Sequence, residues 1–366
     1  MKSNYLLLLL TLLGLLAPPA TAQTVNVEAA ERYWEMTDAL RRDQPLTDAM
    51  WDAFVAVPAN RRYIASVFSE KDLKSYRRAI EVVYRPSLDS LRQANLKAEY
   101  WYYVLNEKYR QRESEFRAYL RETAQQPGYL DLMYQLAYEY LPARARQPVA
   151  NLQLAYVAIG NDAISEEAGI VFSLKSAIDW DKPKAGILEA HEMHHQLRPN
   201  LDFSFADSLD QPLLYALNMT LNEGLADLID KRVLLQVPGD PEGIEEWLLA
   251  SAPAVLHKLD SVLQATAARP TAPRPELRYY RRLYNSTTGH LPGFFMARII
   301  ERNGLRPQLL AAADDPMAFF LLYQRAAHRD KTRPPTFSAA SVAYLKRLQK
   351  KYVAPARQAR ARALAP

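Results

Sequence analysis

No cysteine occurs anywhere in the 366 residues. Disulfides, a lipid-modified N-terminal cysteine and a thiolate nucleophile are therefore excluded, and any bound metal must be held through nitrogen and oxygen. Histidine is scarce, with six in the chain, and so is glycine, with eleven. Few glycines leave the apolar periodicity uninterrupted over long stretches, which favours helix. Beyond the first residues no run reaches the ~20 apolar positions that a membrane span needs, so no stable span is expected in the mature chain.

The first residues read "MKSNYLLLLLTLLGLLAPPATAQT": one lysine, an apolar run from Tyr5 to Ala17, a Pro-Pro break, then Ala20 and Ala22. This is the pattern of a secretory leader, cut near Ala22, and it points to a bacterial protein working in the periplasm or outside the cell. Net charge is +5, yet seven Lys or Arg and no acid fall in the last 21 residues, from Lys346; the rest of the chain carries −2. Basicity is thus a property of the tail, read as flexible and solvated, and a nucleic-acid partner is not expected.

From Val25 to about Tyr140 the pattern is helical. The aromatic stretch "AEYWYYVLNEKYRQRESEFRAYL" reads as core at helical spacing rather than as a carbohydrate platform. The character then changes: "VANLQLAYVAIGND" and "AGIVFSLKSAI" are short β-branched or alternating runs, the best strand candidates. A helix through "ILEAHEMHHQL" follows, with Asp181 as its expected N-cap and Pro183 in its first turn. The remainder is helical. The expected architecture is α+β, mainly helical, divided into a leader (1–22), a helical N-terminal lobe (23–145), a catalytic region with a small sheet (146–345) and a basic tail (346–366).

The chemistry lies in His191-Glu192-Met193-His194-His195, which matches H-E-x-x-H. On a helix, residues four apart point the same way, so His191 and His195 can grip one ion while Glu192 faces the open coordination position. His194 points elsewhere and reads as a structural bystander; Glu189 reads as a first-turn charge. A third histidine in the H-E-x-x-H-x-x-G-x-x-H pattern is excluded, because Arg198 and Leu201 stand where its glycine and histidine would be. Downstream, "TLNEGLADLIDK" sets Glu223 and Asp227 four apart on a helix, with Gly224 and Ala226 small enough for close helix approach.

Together these motifs resemble the gluzincin, thermolysin-like superfamily of zinc metallopeptidases, with its H-E-x-x-H followed by E-x-x-x-D. The "NEGLAD" form is also similar to that of uncharacterised bacterial families described as zinc-dependent peptidases. The resemblance implies a zincin-like core in which His191, His195 and Glu223 bind one zinc ion, Glu192 is the general base and Asp227 hydrogen-bonds a ligand histidine, His191 first. It covers Ile187 to Asp230, and the 27 residues between His195 and Glu223 exceed the thermolysin spacing. It further implies that substrate lies antiparallel along the strand "AGIVFSL". Zinc on two neutral imidazoles and one carboxylate keeps a net positive charge and lowers the pKa of bound water from ~15.7 to about 7. Glu192 can then take the proton and return it to the leaving amine.

A donor for the oxyanion is sought in "YNSTTGHLPGFF", where Tyr284 and His290 precede a helix; Tyr280 is a reserve. The expected function is hydrolysis of peptide bonds in a peptide or protein substrate. The alternatives are a zinc hydrolase of another amide or ester, or an inactive protein in which zinc staples helices.

Overall fold

Helix dominates the chain, and many of its boundaries are written locally. The side chains of Thr47, Ser69, Asp315 and Ser338 each accept the N–H three residues on, and Pro58, Pro127, Pro212 and Pro316 stand in first turns, where a missing N–H costs nothing. This computed structural model describes residues 25–166, 169–240, 242–269 and 274–363. The leader read over 1–22 lies outside them. Among the described residues no helix is long and apolar enough to cross a membrane.

A four-stranded sheet interrupts the helices. Its strands are β1 (Val25–Asn26), β2 (Leu154–Val157), β3 (Ala163–Glu166) and β4 (Gly169–Ser173), in the order β1-β2-β4-β3. β1 and β4 run parallel to β2, whereas β3 returns antiparallel to β4, pairing Ile164 with Val171. The two β-branched runs form β2 and β4 as expected, and every residue of both is buried. The mainly helical α+β class expected from the sequence is the one observed.

The position of β4 overturns one expectation. Its backbone is paired on both sides, so it cannot receive a peptide; the free edge beside the motif helix belongs to β3. Chain periodicity could reveal strands but not their order.

Six helices build the surroundings of the motif: α1 (Pro127–Tyr138), α2 (Leu174–Asp181), α3 (Ile187–Leu197), α4 (Gln211–Ala226), α5 (Leu277–Leu283) and α6 (His290–Arg302). The motif helix α3 packs against α1, α2, α4 and β3. It begins at Ile187 after Gly186, whose φ of 76° a side chain would strain, and not at Asp181. Asp181 instead ends α2, accepts the Gly186 N–H at 2.6 Å, and receives the hydroxyls of Tyr119 and Tyr129. Glu189 stands in the first turn of α3 as expected, but there it does not face solvent. It is fully buried, accepts from Tyr156 and Tyr119 at 2.8 and 3.0 Å, and burial followed by the nearby Asp181 pushes its carboxyl up to about 8.

One connected cluster of buried apolar side chains runs from Ala29 to Ala356 and draws on both the 23–145 and the 146–345 segments. Most of the aromatic stretch joins it, Tyr109 and Phe116 being fully buried, but Tyr100 and Trp101 face solvent. The basic tail differs more. From Lys346 the chain stays helical to Ala363, and Leu348, Tyr352, Val353 and Ala356 are buried, with the Tyr352 hydroxyl donating to Asp210 at 2.5 Å. Charge count masked an amphipathic helix: the arginines point outward while the sparse apolar residues hold the segment down.

Candidate metal centre

The motif's i, i+4 spacing does what helix geometry requires. The Nε2 atoms of His191 and His195 lie 3.1 Å apart, and Glu223 Oε2, on α4, stands 3.5 and 3.3 Å from them. The Glu192 carboxylate lies within 4.8 Å of the ligand atoms of both histidines. His195 and His290 keep 14% and 23% of their side-chain surface exposed and Glu192 is part exposed, so the centre opens to solvent on that side.

Two neighbours fix Glu223. Gly224 follows it, and a Cβ there would sit 2.6 Å from the Gly293 carbonyl oxygen; a Cβ on Gly293 would sit 2.4 Å from that of Thr220. The small residue expected to admit the motif helix therefore admits α6, which brings His290 to the site. On the other side buried Arg198 donates to Asn222 Oδ1 at 2.7 Å, and Asn222 donates to Glu223 Oε1 at 3.3 Å. In the sequence Arg198 marks only the place where the third-histidine pattern would have its glycine.

The residues behind the histidines differ from expectation. His191 Nδ1–H donates to Asp230 at 3.1 Å, while Asp227 is 3.7 Å away; Asp227 instead accepts from His290 Nδ1 at 2.9 Å. The partner missed in the sequence was Asp230, which lies beyond the end of α4 and is brought back to His191 by the turn after Ala226, so helical spacing gives no signal for it. Donation from Nδ1 fixes the tautomer and leaves the Nε2 lone pair aimed at Glu223. His290 Nε2 comes within 3.4 Å of Glu223 Oε2, and its ring stacks on that of His191. Tyr284 is not brought to this cluster: it is buried, with its hydroxyl accepting from Thr220 at 3.2 Å, and Tyr280 is buried beside it. His194 bonds the Tyr140 carbonyl oxygen at 3.2 Å, and burial lowers its pKa, keeping it neutral.

The electrostatics fit a cation. Four carboxylates, Glu192, Glu223, Asp227 and Asp230, converge with one ammonium, Lys231, 2.7 Å from Asp230. Burial opposes charge on His191, yet Asp230 outweighs it and raises the pKa; burial likewise opposes the Glu223 carboxylate, but His290 and His195 hold it well below its usual range. For Glu192 burial prevails and raises the carboxyl. Glu223 Oε2 is buried and without a hydrogen bond although three imidazole nitrogens surround it. The 3.3 and 3.5 Å spacings of Glu223 from His195 and His191 match ligands around one tetrahedral ion, whose bonds of ~2.0–2.2 Å set edges of about 3.3–3.6 Å, and the 3.1 Å between the two histidines is slightly shorter. Two nitrogens and one carboxylate oxygen suit zinc.

No curated protein and no solved structure matches the chain. One family model does match, over residues 51–332, a span that includes the helices of the centre. The chain belongs to that family, described as "Putative zinc dependent peptidase (DUF5700)".

Proposed function

We propose that this protein is an exported zinc metallopeptidase of the gluzincin type, with His191, His195 and Glu223 as ligands of one ion. The observation that carries the proposal is the orphaned Glu223 Oε2, 3.3 to 3.5 Å from the imidazole nitrogens of His191 and His195, beside the Glu192 carboxylate. Zinc held there would polarise a scissile carbonyl and acidify water.

The protein's own groups have separable tasks. Glu192 takes a proton at its carboxylate and hands it to the leaving amine. His290, oriented by Asp227 through Nδ1, offers Nε2 to the developing oxyanion. The free edge of β3, tied to α3 by Ser165 donating to the Glu192 carbonyl oxygen and Gln196 donating to Ser165, supports antiparallel seating of a peptide. The leader-like segment from Met1 to Ala22 supports export.

Replacing Glu192 by Gln tests the reading. The variant should keep about one zinc per chain and lose peptide hydrolysis by at least about a hundredfold. Equal turnover by variant and wild type would contradict the assignment of Glu192 as base.

One observation favours a second reading, a zinc-stapled scaffold. His290 Nε2 stands as close to Glu223 Oε2 as do the two motif histidines, so it could close a four-ligand site. His290→Ala separates the two: an oxyanion donor costs turnover with zinc retained, a fourth ligand costs zinc affinity.

A further inference from the structure

A cavity of about 270 Å³ lies between α5 and α4, the helix that also carries Glu223. Tyr215, Met219, Leu277, Tyr280 and Tyr284 give it an apolar, aromatic wall, and Arg281 lines it as well. No carboxylate lines it, and among the described residues the Arg281 side chain makes no ion pair or hydrogen bond. An unpaired guanidinium lining the same cavity as an aromatic wall is suited to a ligand carrying both a large apolar group and a carboxylate.

The cavity is placed by helix phase. Ala216 and Met219, in its wall, precede Glu223 by seven and four residues and so share its face of α4. At 1.5 Å per residue they lie ~6 to 10 Å from Glu223 along the axis. An extended peptide rises ~3.3 Å per residue, so this distance spans two to three residues.

The rim points the same way. Ser286 and Thr288 line the cavity, and Asn285, Ser286 and Thr288 have φ of 51°, 61° and 54°, with Gly289 at 107°. Three non-glycine residues in left-handed backbone, one of them β-branched, are a costly run that persists only where the surroundings impose it. Gly289 presses on the Met219–Thr220 backbone, where a Cβ would come within 2.7 Å, and the next residue is His290. The strained loop thus joins the cavity wall to the candidate oxyanion donor.

We propose that this cavity holds the C-terminal residue of the substrate, its apolar side chain among the tyrosines and its carboxylate on Arg281. The protein would then release short C-terminal peptides of two or three residues. This rests on the peptidase reading above, which places the scissile bond at the Glu223 centre. Hydrolysis adds one water across one amide, giving a shortened peptide with a new carboxylate and a short peptide with a new amine.

The test compares a hexapeptide ending in phenylalanine as the free acid with the same peptide as its C-terminal amide. Turnover is followed by mass spectrometry on the zinc-loaded full chain, and binding by calorimetry on the chelated protein. The free acid should be cleaved and bound about tenfold or more better than the amide, with products two or three residues long. Arg281→Ala should bring that ratio to about one, Arg281→Lys should restore part of it, and Arg278→Ala, whose side chain pairs with Glu276, should keep it. Equal handling of acid and amide by the wild type, or a ratio unmoved in Arg281→Ala, would overturn the proposal. Absence of zinc-dependent hydrolysis of every peptide would sink the peptidase reading instead, while the binding ratio would still decide whether Arg281 holds a carboxylate.

Discussion

At the scale of single residues, carboxylates stand behind the imidazoles of the candidate centre: Asp230 accepts from His191 Nδ1 and Asp227 from His290 Nδ1. His191, Glu192 and His195 are legible because a four-residue spacing on a helix leaves no freedom in where they point. Their supporting carboxylates are less so. Asp227 and Asp230 sit three apart just beyond the end of α4, and only the turn after Ala226 decides that Asp230 meets His191 while Asp227 meets His290. The division has a consequence. Asp230→Asn should weaken zinc affinity about 10 to 100-fold, because it loosens a ligand histidine. Asp227→Asn should lower turnover with a much smaller loss of zinc. Competition against a chelator of known affinity, run beside a turnover assay, reads both, and equal zinc loss in the two variants would contradict the assignment.

At the scale of elements, the crossing of α4 and α6 decides whether Glu223 and His290 meet. Gly224 and Gly293 touch backbone to backbone, so any side chain forces the helices apart. Gly224→Ala should cost about 1 to 3 kcal/mol of stability and also weaken zinc binding, although residue 224 is no ligand. Denaturant unfolding of the zinc-free and zinc-loaded variant checks both. The smallness of Gly224 was readable in the sequence, but the helix it admits was not, since residues 224 and 293 are joined only by packing. The same limit hid the sheet order. β2 and β4 announce themselves by β-branched runs, whereas β3, "AISE", is short, polar at its end and recognisable only by its pairing with β4.

At the scale of the whole molecule, the division expected from the sequence rested on changes in composition, and composition misjudged the last segment, 346–366. Seven cations concealed four apolar side chains that pack into the cluster reaching Ala356. Deleting residues 346–366 should therefore lower stability by several kcal/mol, on the order of 2 to 5, as for other losses of buried large side chains. A flexible tail would leave the unfolding midpoint unchanged. The aromatic stretch shows the complementary lesson: Tyr109 and Phe116 are buried as helical spacing implies, but Tyr100 and Trp101 are exposed at the start of their helix, although Trp101 stands one helical repeat before buried Leu105. Beneath all of this stands the proposal that α3 and α4 hold one zinc. Diffraction from a crystal of the zinc-loaded protein, collected on both sides of the zinc absorption edge, tests it most directly. The expected result is one anomalous peak within ~2.0–2.2 Å of His191 Nε2, His195 Nε2 and a Glu223 carboxylate oxygen. A peak elsewhere, or none at these three residues, would contradict it.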